Sequence, residues 1–412
     1  MLGRPGGART GGHRCTALVV ATEWSSAHGG LSTLNQRLCW ALAGQRVRVF
    51  CLVPQATSAE VEEAAAQDVT LLVPPPLPGV SAMTALLRRP ALPVGVLPDL
   101  VIGHSRITGP IALLLAEIYF WQATRLHFVH MAPDEIEWFK PDREEDAVHN
   151  ADARTKIELG LARAADRTVA VGPRLHDRFL SSLGLRTDRE PLRFDPGFDL
   201  GDPEPARVPA GSPMTVLITG RVEDWELKGL DIAVRACARV AGWRQLQTGA
   251  KPVELLVRGV PEQDVAEQLK RLEEWRGGAD LPIVARPFTT DGQSLADDLA
   301  RASVVVMPSR AEGFGLSGLE ALVEGRPVLV SSRSGLGELL RAELDPEAAA
   351  ACVVPTTGHD TDTDTDTWAR AIERVLLHPK DEFARAEKLR QDLAARLTWA
   401  GSVEKLLTAL ER

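Results

Sequence analysis

The stretch from Val304 to Leu340, VVVMPSRAEGFGLSGLEALVEGRPVLVSSRSGLGELL, constrains the fold more than any other part of the chain. It opens on a short apolar run, Val304 to Met307, with the pattern of a buried parallel strand. Pro308 and Ser309 end that strand, and a loop with two glycines follows. Gly318 to Glu324 then has helical spacing. A second strand, Val328 to Val330, lies between Pro327 and a Ser/Gly loop.

Two acids stand eight residues apart in this unit, with Gly-Phe-Gly between them: Glu312 on the loop and Glu320 on the helix. Small loop residues let backbone N–H groups approach a ligand closely, and a helix N-terminus can face an anion. The carboxylates cannot bind phosphate, so they suit hydroxyl donors. A ligand with phosphate between two polyhydroxy rings, a nucleotide-sugar, meets both demands. The plainer alternative is a tight turn carrying two solvated glutamates.

Glu312-Gly-Phe-Gly-Leu…Glu320 resembles the E-x7-E signature of retaining glycosyltransferases of the family 4 type (glycosyltransferase group 1). These enzymes have the GT-B fold, two Rossmann-like α/β domains facing each other across a cleft. Sucrose-phosphate synthases and phosphatidylinositol mannosyltransferases are members.

The rest of the chain is compatible with that architecture. At 412 residues it is long for one core, so two domains are expected. Strand candidates in the first half are 17–21, 47–53, 69–73, 100–102, 126–130 and 168–171, with helical patterns at 31–43, 58–66, 81–87, 110–118, 154–164 and 173–183. This alternation predicts a parallel sheet covered on both faces, with ligands at the carboxyl ends of its strands. The segment from Phe194 to Pro213 has linker composition, and its Pro-Gly-Phe-Asp resembles the family's closing segment of the first domain. A second series begins at Met214, with strands at 216–219, 254–258, 283–285, 304–307, 328–331 and 352–354. Helical patterns there fall at 230–241, 262–275, 295–302, 318–324, 337–344 and 368–377. The expected division is a disordered tail at 1–14, a first Rossmann-like domain at 15–205, a donor domain at 206–395 and a final helix at 396–412. The resemblance implies that this last helix crosses back onto the first domain.

A net charge of −9 without a long basic run argues against a nucleic-acid partner, while leaving room for a local basic patch facing an anionic substrate or a membrane surface. Five scattered cysteines (15, 39, 51, 237 and 352) form no metal-binding spacing and read as small core residues of a reducing compartment, hence a cytoplasmic expectation. No stretch reads as transmembrane, and the apolar run after residue 15 is too short for a signal peptide. The repeat His359 to Thr367, with alternating Asp and Thr, lacks the glycine turn and closing Glu of a calcium loop, and is expected to be a solvated loop ending in a helix N-cap.

Candidate site residues follow from strand ends and from the resemblance. Gly220-Arg221 and Lys228-Gly229 follow the first strand of the second domain, where a guanidinium and an ammonium can neutralise a diphosphate and its leaving-group charge. The resemblance implies that Glu312 holds the sugar's hydroxyls, that Glu320 holds the ribose hydroxyls, and that backbone N–H groups of Phe314–Leu316, with Gly313 and Gly315, assist at the diphosphate. It also implies that Gly29 and Gly30 reach the donor phosphate, that His130 hydrogen-bonds the transferred sugar, and that Arg258 and Arg286 lie where the nucleobase is held. His104 occupies a similar strand end. Asp134, Glu135 and Glu137 are a possible base or a solvated helix start, and Trp24 and Ser25 are either acceptor lining or core. Ser334 stands where the family's Gly-Gly-x-x-Glu has its first glycine.

The reading is a retaining glycosyltransferase using a UDP-, GDP- or ADP-sugar and an unidentified acceptor. No cofactor or metal is expected, since Arg and Lys supply the positive charge. The rivals are a sugar-nucleotide epimerase of the same fold and a non-catalytic nucleotide-sugar sensor.

Overall fold

The computed structural model describes residues 13–25, 30–136, 139, 147–184, 190–199 and 205–411. Two parallel sheets organise them. The first contains β1 (Cys15–Val20), β2 (Val47–Leu52), β3 (Val69–Leu72), β4 (Leu100–His104), β5 (Thr124–Val129), β6 (Arg167–Val171) and β7 (Leu192–Phe194), in the order β3-β2-β1-β4-β5-β6-β7. The second contains β8 (Met214–Thr219), β9 (Val253–Val260), β10 (Ile283–Pro287), β11 (Ala302–Met307), β12 (Val328–Ser331) and β13 (Val353–Val354), in the order β10-β9-β8-β11-β12-β13.

Both orders reverse direction beside the first strand of their domain, so each sheet has a crevice at the carboxyl end of that strand. β1 pairs in parallel with β2 and β4, and β8 with β9 and β11. Central strands such as β9 and β11 are buried along their whole length, which explains their near-continuous apolar runs.

Helices cover the sheets where the 3.6-residue period predicts, with informative differences at their ends. Ser58–Ala66 carries a capping box in which Thr57 and Glu60 satisfy each other's backbone N–H groups. The helix Ser105–Tyr119 starts a turn before Pro110, because β4 runs straight into it through Ser105, whose φ is +40°. The helix after the Gly-Phe-Gly loop spans Leu316–Val323, two residues ahead of the apolar spacing that points to it.

Three further differences concern segments read as irregular. Phe194, assigned to the linker, ends edge strand β7. Residues 346–351, left without an element, and Cys352, expected to open the last strand, form the helix Pro346–Cys352, capped by Asp345. The Asp-Thr repeat is helical rather than a loop: Thr361–Leu377 is one helix with Asp360 as its N-cap. Asp364 inside the repeat is buried and accepts hydrogen bonds from Thr357 N (2.7 Å) and Gly358 N (2.9 Å). Low sequence complexity hid a helix start held by carboxylates near its positive end.

The helix Trp399–Leu410 crosses back to the first domain, packing on the helix Gly30–Gly44 and on β7. Phe198 N donates to Leu397 O (2.8 Å), and Trp399 N donates to Asp199 Oδ2 (2.8 Å). Arg14 pairs with Glu404 on this helix and with Glu411 just beyond its end. One apolar cluster runs through both domains, from Val19 and Phe128 past Phe198 and Trp399 to Phe314 and Leu322. Among the described residues no helix is long and apolar enough to cross a membrane.

Candidate active site

The crevices of the two sheets face each other, and the residues from 310 to 338 line the second domain's side. β11 ends at Met307, and the loop after it carries Glu312. Buried Arg310 fixes this loop. Its guanidinium donates to both oxygens of Asp231 (2.7 Å each) and to Glu226 O (2.7 Å), while Arg310 N donates to Leu227 O (2.9 Å). Burial alone pushes the guanidinium pKa down, but the bonds to Asp231 outweigh it and hold it above its usual range. Arg310 thereby ties the Glu312 loop to the turn that carries Lys228. Sequence reasoning passed over Arg310 and Asp231, because 79 residues separate them and no spacing rule links them.

The result is a close ion pair. Lys228 Nζ donates to Glu312 Oε2 at 2.6 Å, with Ser309 Oγ at 3.3 Å from the same oxygen. Lys228 ends the short helix Trp225–Lys228, and Arg221 lies exposed at its approach. Ile136 of the first domain packs against Leu227 and Ala311, closing the cleft beside the pair.

Two glycines set the loop's shape. Gly315 caps the helix Leu316–Val323 with φ of +109°, a backbone that favours glycine, and a Cβ there would lie 2.5 Å from Met307 Cε. Gly315 offers no side-chain cap, and Gly318 N turns back to Gly315 O (3.2 Å), which leaves the N–H groups of Leu316 and Ser317 to face an anion. A Cβ on Gly313 would lie 2.0 Å from His130 O, so that glycine lets the two domains meet. Phe314 is buried against Gly172, and Leu316 lies against Gly30. Gly29, the other glycine of that first loop, lies outside the described residues, as does Glu137.

Glu320 has two properties that pull in opposite directions. Its side chain is open to water, yet protein crowds round its carboxyl. That crowding raises its pKa to about 7, opposed by the positive charge of Arg37. Ser334 is fully buried and caps the helix Gly335–Glu343, accepting from Gly337 N (3.0 Å) at φ of −120°, so serine replaces the family's glycine without strain.

On the first domain's side, His130 follows β5 and His104 ends β4, with His130 Nε2 2.9 Å from His104 Nδ1. Burial, reinforced by neighbouring histidines, pushes both pKa values down, that of His104 to about 3. Both rings are therefore neutral near pH 7.

Other candidates are occupied by structural bonds. Buried Asp298 binds the guanidinium groups of both Arg258 and Arg286, and Arg258 also donates to Pro287 O (2.8 Å). Both side chains are committed to Asp298 on the helix Gly292–Arg301, and Arg258 also to β10, leaving the backbone at these strand ends for a ligand. Asp134 pairs with Arg178, and Glu135 with Arg174. Trp24 is core, donating from Nε1 to Glu63 at 3.1 Å. Among the described residues no group of three or more His, Cys, Asp or Glu is placed to hold a metal ion.

The family model for family 4 glycosyltransferases in conflict systems matches residues 18–406. The chain belongs to the family 4 glycosyltransferases. Its curated relatives include D-inositol 3-phosphate glycosyltransferase 1 of Catenulispora acidiphila, 32% identical over 263 residues, which are 61% of this chain and 58% of that one. The match therefore spans less than two thirds of that relative's length. Solved structures of the same fold include sucrose-phosphate synthase from Thermosynechococcus elongatus, with a TM-score of 0.69 at 20% identity, covering 97% of this chain and 98% of that one. Anabaena HepE, solved in complex with UDP-glucose, has a TM-score of 0.63 at 17% identity, covering 97% of this glycosyltransferase and all of HepE. Both establish a GT-B arrangement of two Rossmann-like domains.

Proposed function

We propose that this glycosyltransferase moves a hexose-type sugar, with retention of configuration, from a nucleoside-diphosphate-sugar to an acceptor held by the first domain. The observation that carries this reading is the Lys228–Glu312 pair of 2.6 Å beside the uncapped start of the helix Leu316–Val323. A cation, a carboxylate and free N–H groups converge there at the mouth of the cleft. A diphosphate between two hydroxyl-bearing groups matches that set in charge and geometry. HepE, of the same fold, binds UDP-glucose, which favours a uridine donor among the UDP, GDP and ADP classes.

In this scheme Glu320 accepts hydrogen bonds from the ribose hydroxyls. Glu312 uses the oxygen not bound by Lys228 to accept from hydroxyls of the sugar. Lys228 and Arg221 neutralise charge as the bond between the sugar and the diphosphate lengthens, and the first-turn N–H groups add to that stabilisation. His130, neutral, contacts the sugar from the opposite domain. The departing phosphate oxygen takes the acceptor's proton on the face it leaves, and the new bond forms on that face. No metal is needed for the charge, because Lys228 and Arg221 supply it.

The test is transfer from radiolabelled UDP-, GDP- and ADP-sugars to an acceptor panel, with the product's anomeric configuration read by NMR. Glu312→Gln should keep nucleotide binding and lose transfer. Turnover unchanged in that variant would sink the assignment. A sugar epimerised without any acceptor would show the epimerase instead.

A further inference from the structure

Behind His130 lies a chain of buried polar contacts that the scheme above does not use. His130 Nε2 is 2.9 Å from His104 Nδ1, and His104 Nε2 is 3.0 Å from Asn35 Oδ1. Asn35 is 1% exposed and sits on the helix Gly30–Gly44. Its amide nitrogen donates to Cys51 Sγ at 3.6 Å, and Cys39 Sγ lies 4.0 Å from its oxygen. His127 packs behind the pair, already bound to Glu158 at 2.9 Å. Ser105, held at φ of +40°, accepts a hydrogen bond from His130 N at 3.2 Å. A non-glycine residue at positive φ is uncommon and costs energy, and such residues concentrate at functional sites.

Each contact along the chain holds a single proton. With its nitrogen turned to Cys51, Asn35 presents only an acceptor to His104, so His104 Nε2 carries the hydrogen. A neutral His104 then has a bare Nδ1, which can only accept. The hydrogen between the two rings must therefore sit on His130 Nε2, and the Nδ1 of a neutral His130 is bare. Among the described residues that Nδ1 has no partner.

We propose that Asn35 and His104 are positioning residues that lock His130 in the Nε2–H tautomer, so that it offers the cleft a hydrogen-bond acceptor and selects a sugar hydroxyl. The selection of a sugar hydroxyl rests on the transferase reading; the tautomer does not. Its logic is one of specificity. An acceptor fixed from behind holds a donating hydroxyl and rejects an analogue in which that hydroxyl is absent or methylated. A ring free to exchange tautomers could turn an Nδ1–H to the ether oxygen of the methylated analogue and would reject it less.

The test uses the full chain labelled with 15N-histidine. Long-range 1H–15N correlation spectra distinguish protonated from bare ring nitrogens, and a His130→Gln variant assigns the His130 signals. We expect His130 and His104 both to show protonated Nε2 and bare Nδ1, unchanged between about pH 6 and 8. A wild-type His130 with protonated Nδ1, or with both nitrogens protonated, would overturn the proposal. In Asn35→Leu and His104→Phe, His130 should spread over both tautomers, and kcat/KM should fall by about tenfold, the size of one lost hydrogen bond. A folded variant whose His130 signals stay as in the wild type would equally overturn it. The wild-type spectrum decides even if both variants fail to fold. It needs no donor, so it stands apart from the test of transfer.

Discussion

Lys228 Nζ and Glu312 Oε2 lie 2.6 Å apart, joining the turn after β8 to the loop after β11. Both side chains keep partial solvent access, so the pair adds only about 0–1 kcal/mol to stability. In the proposed scheme its worth is chemical: the lysine would meet the diphosphate already aligned with the carboxylate assigned to the sugar. Lys228→Met should therefore melt close to the wild type while kcat falls by about 10²–10³, the usual cost of one charge-stabilising donor. Melting curves alongside initial rates check this. A large loss of stability with unimpaired turnover would assign the pair to structure.

The raised pKa of Glu320 makes a signed prediction. Its folded value is about 7 against an ordinary 4.5. Between those values the folded chain holds a proton that the unfolded chain has released, so this group's contribution to stability falls as pH rises through that window. Glu320→Gln removes the effect. The variant should gain melting temperature over the wild type at pH 8, and the gain should shrink towards pH 5. An equal difference at both pH values would contradict the raised pKa.

Gly313 is a point of close contact between the domains. Gly313→Ala would place a methyl carbon 2.0 Å from His130 O, too close for either backbone to remain where it is. The domains should be forced apart, with kcat/KM down by about 10²-fold, as misplacement near 1 Å costs. Small-angle scattering should show a larger radius of gyration. A variant with wild-type scattering and rate would mean the contact is not needed.

Arg174 spans the same divide. It binds Glu135 of its own domain (3.0 Å) and Glu338 of the other (2.7 Å), with 17% of its side chain exposed. Burial tends to lower its pKa, but Glu135 and Glu338 raise it further, so it stays charged. Arg174→Ala leaves Glu338 without its cation and should cost about 1–3 kcal/mol, read by chemical denaturation. It should also loosen closure, raising the donor KM more than it lowers kcat. A fall in kcat alone would contradict a closure role.

Much of this was legible in the sequence, for a physical reason. Strands buried on both faces are continuous apolar runs, so β1, β9 and β11 announce themselves. β7 does not, because it has three residues and lies at a sheet edge. Glu312, Glu320, Gly313 and Gly315 are readable because their demands fall within one local unit. The Arg258–Asp298–Arg286 cluster and the Arg310–Asp231 pair are not, since each joins residues on separate elements. His104 drew weaker support than His130, yet stands in contact with it, because two strand ends meet only once the sheet order is known. The Asp-Thr repeat misled because composition suggests solvation, whereas Asp364 is buried and bonded to backbone.

The most direct measurement is a thermal-shift screen of the wild-type chain against UDP, GDP, ADP and their sugars. One nucleotide class should raise the melting point, with a stabilisation of about 2.7 kcal/mol at a hundredfold excess over Kd. Glu320→Gln should weaken that shift through the ribose. No shift with any nucleotide or nucleotide-sugar would contradict a donor site at Glu312, Glu320 and Lys228.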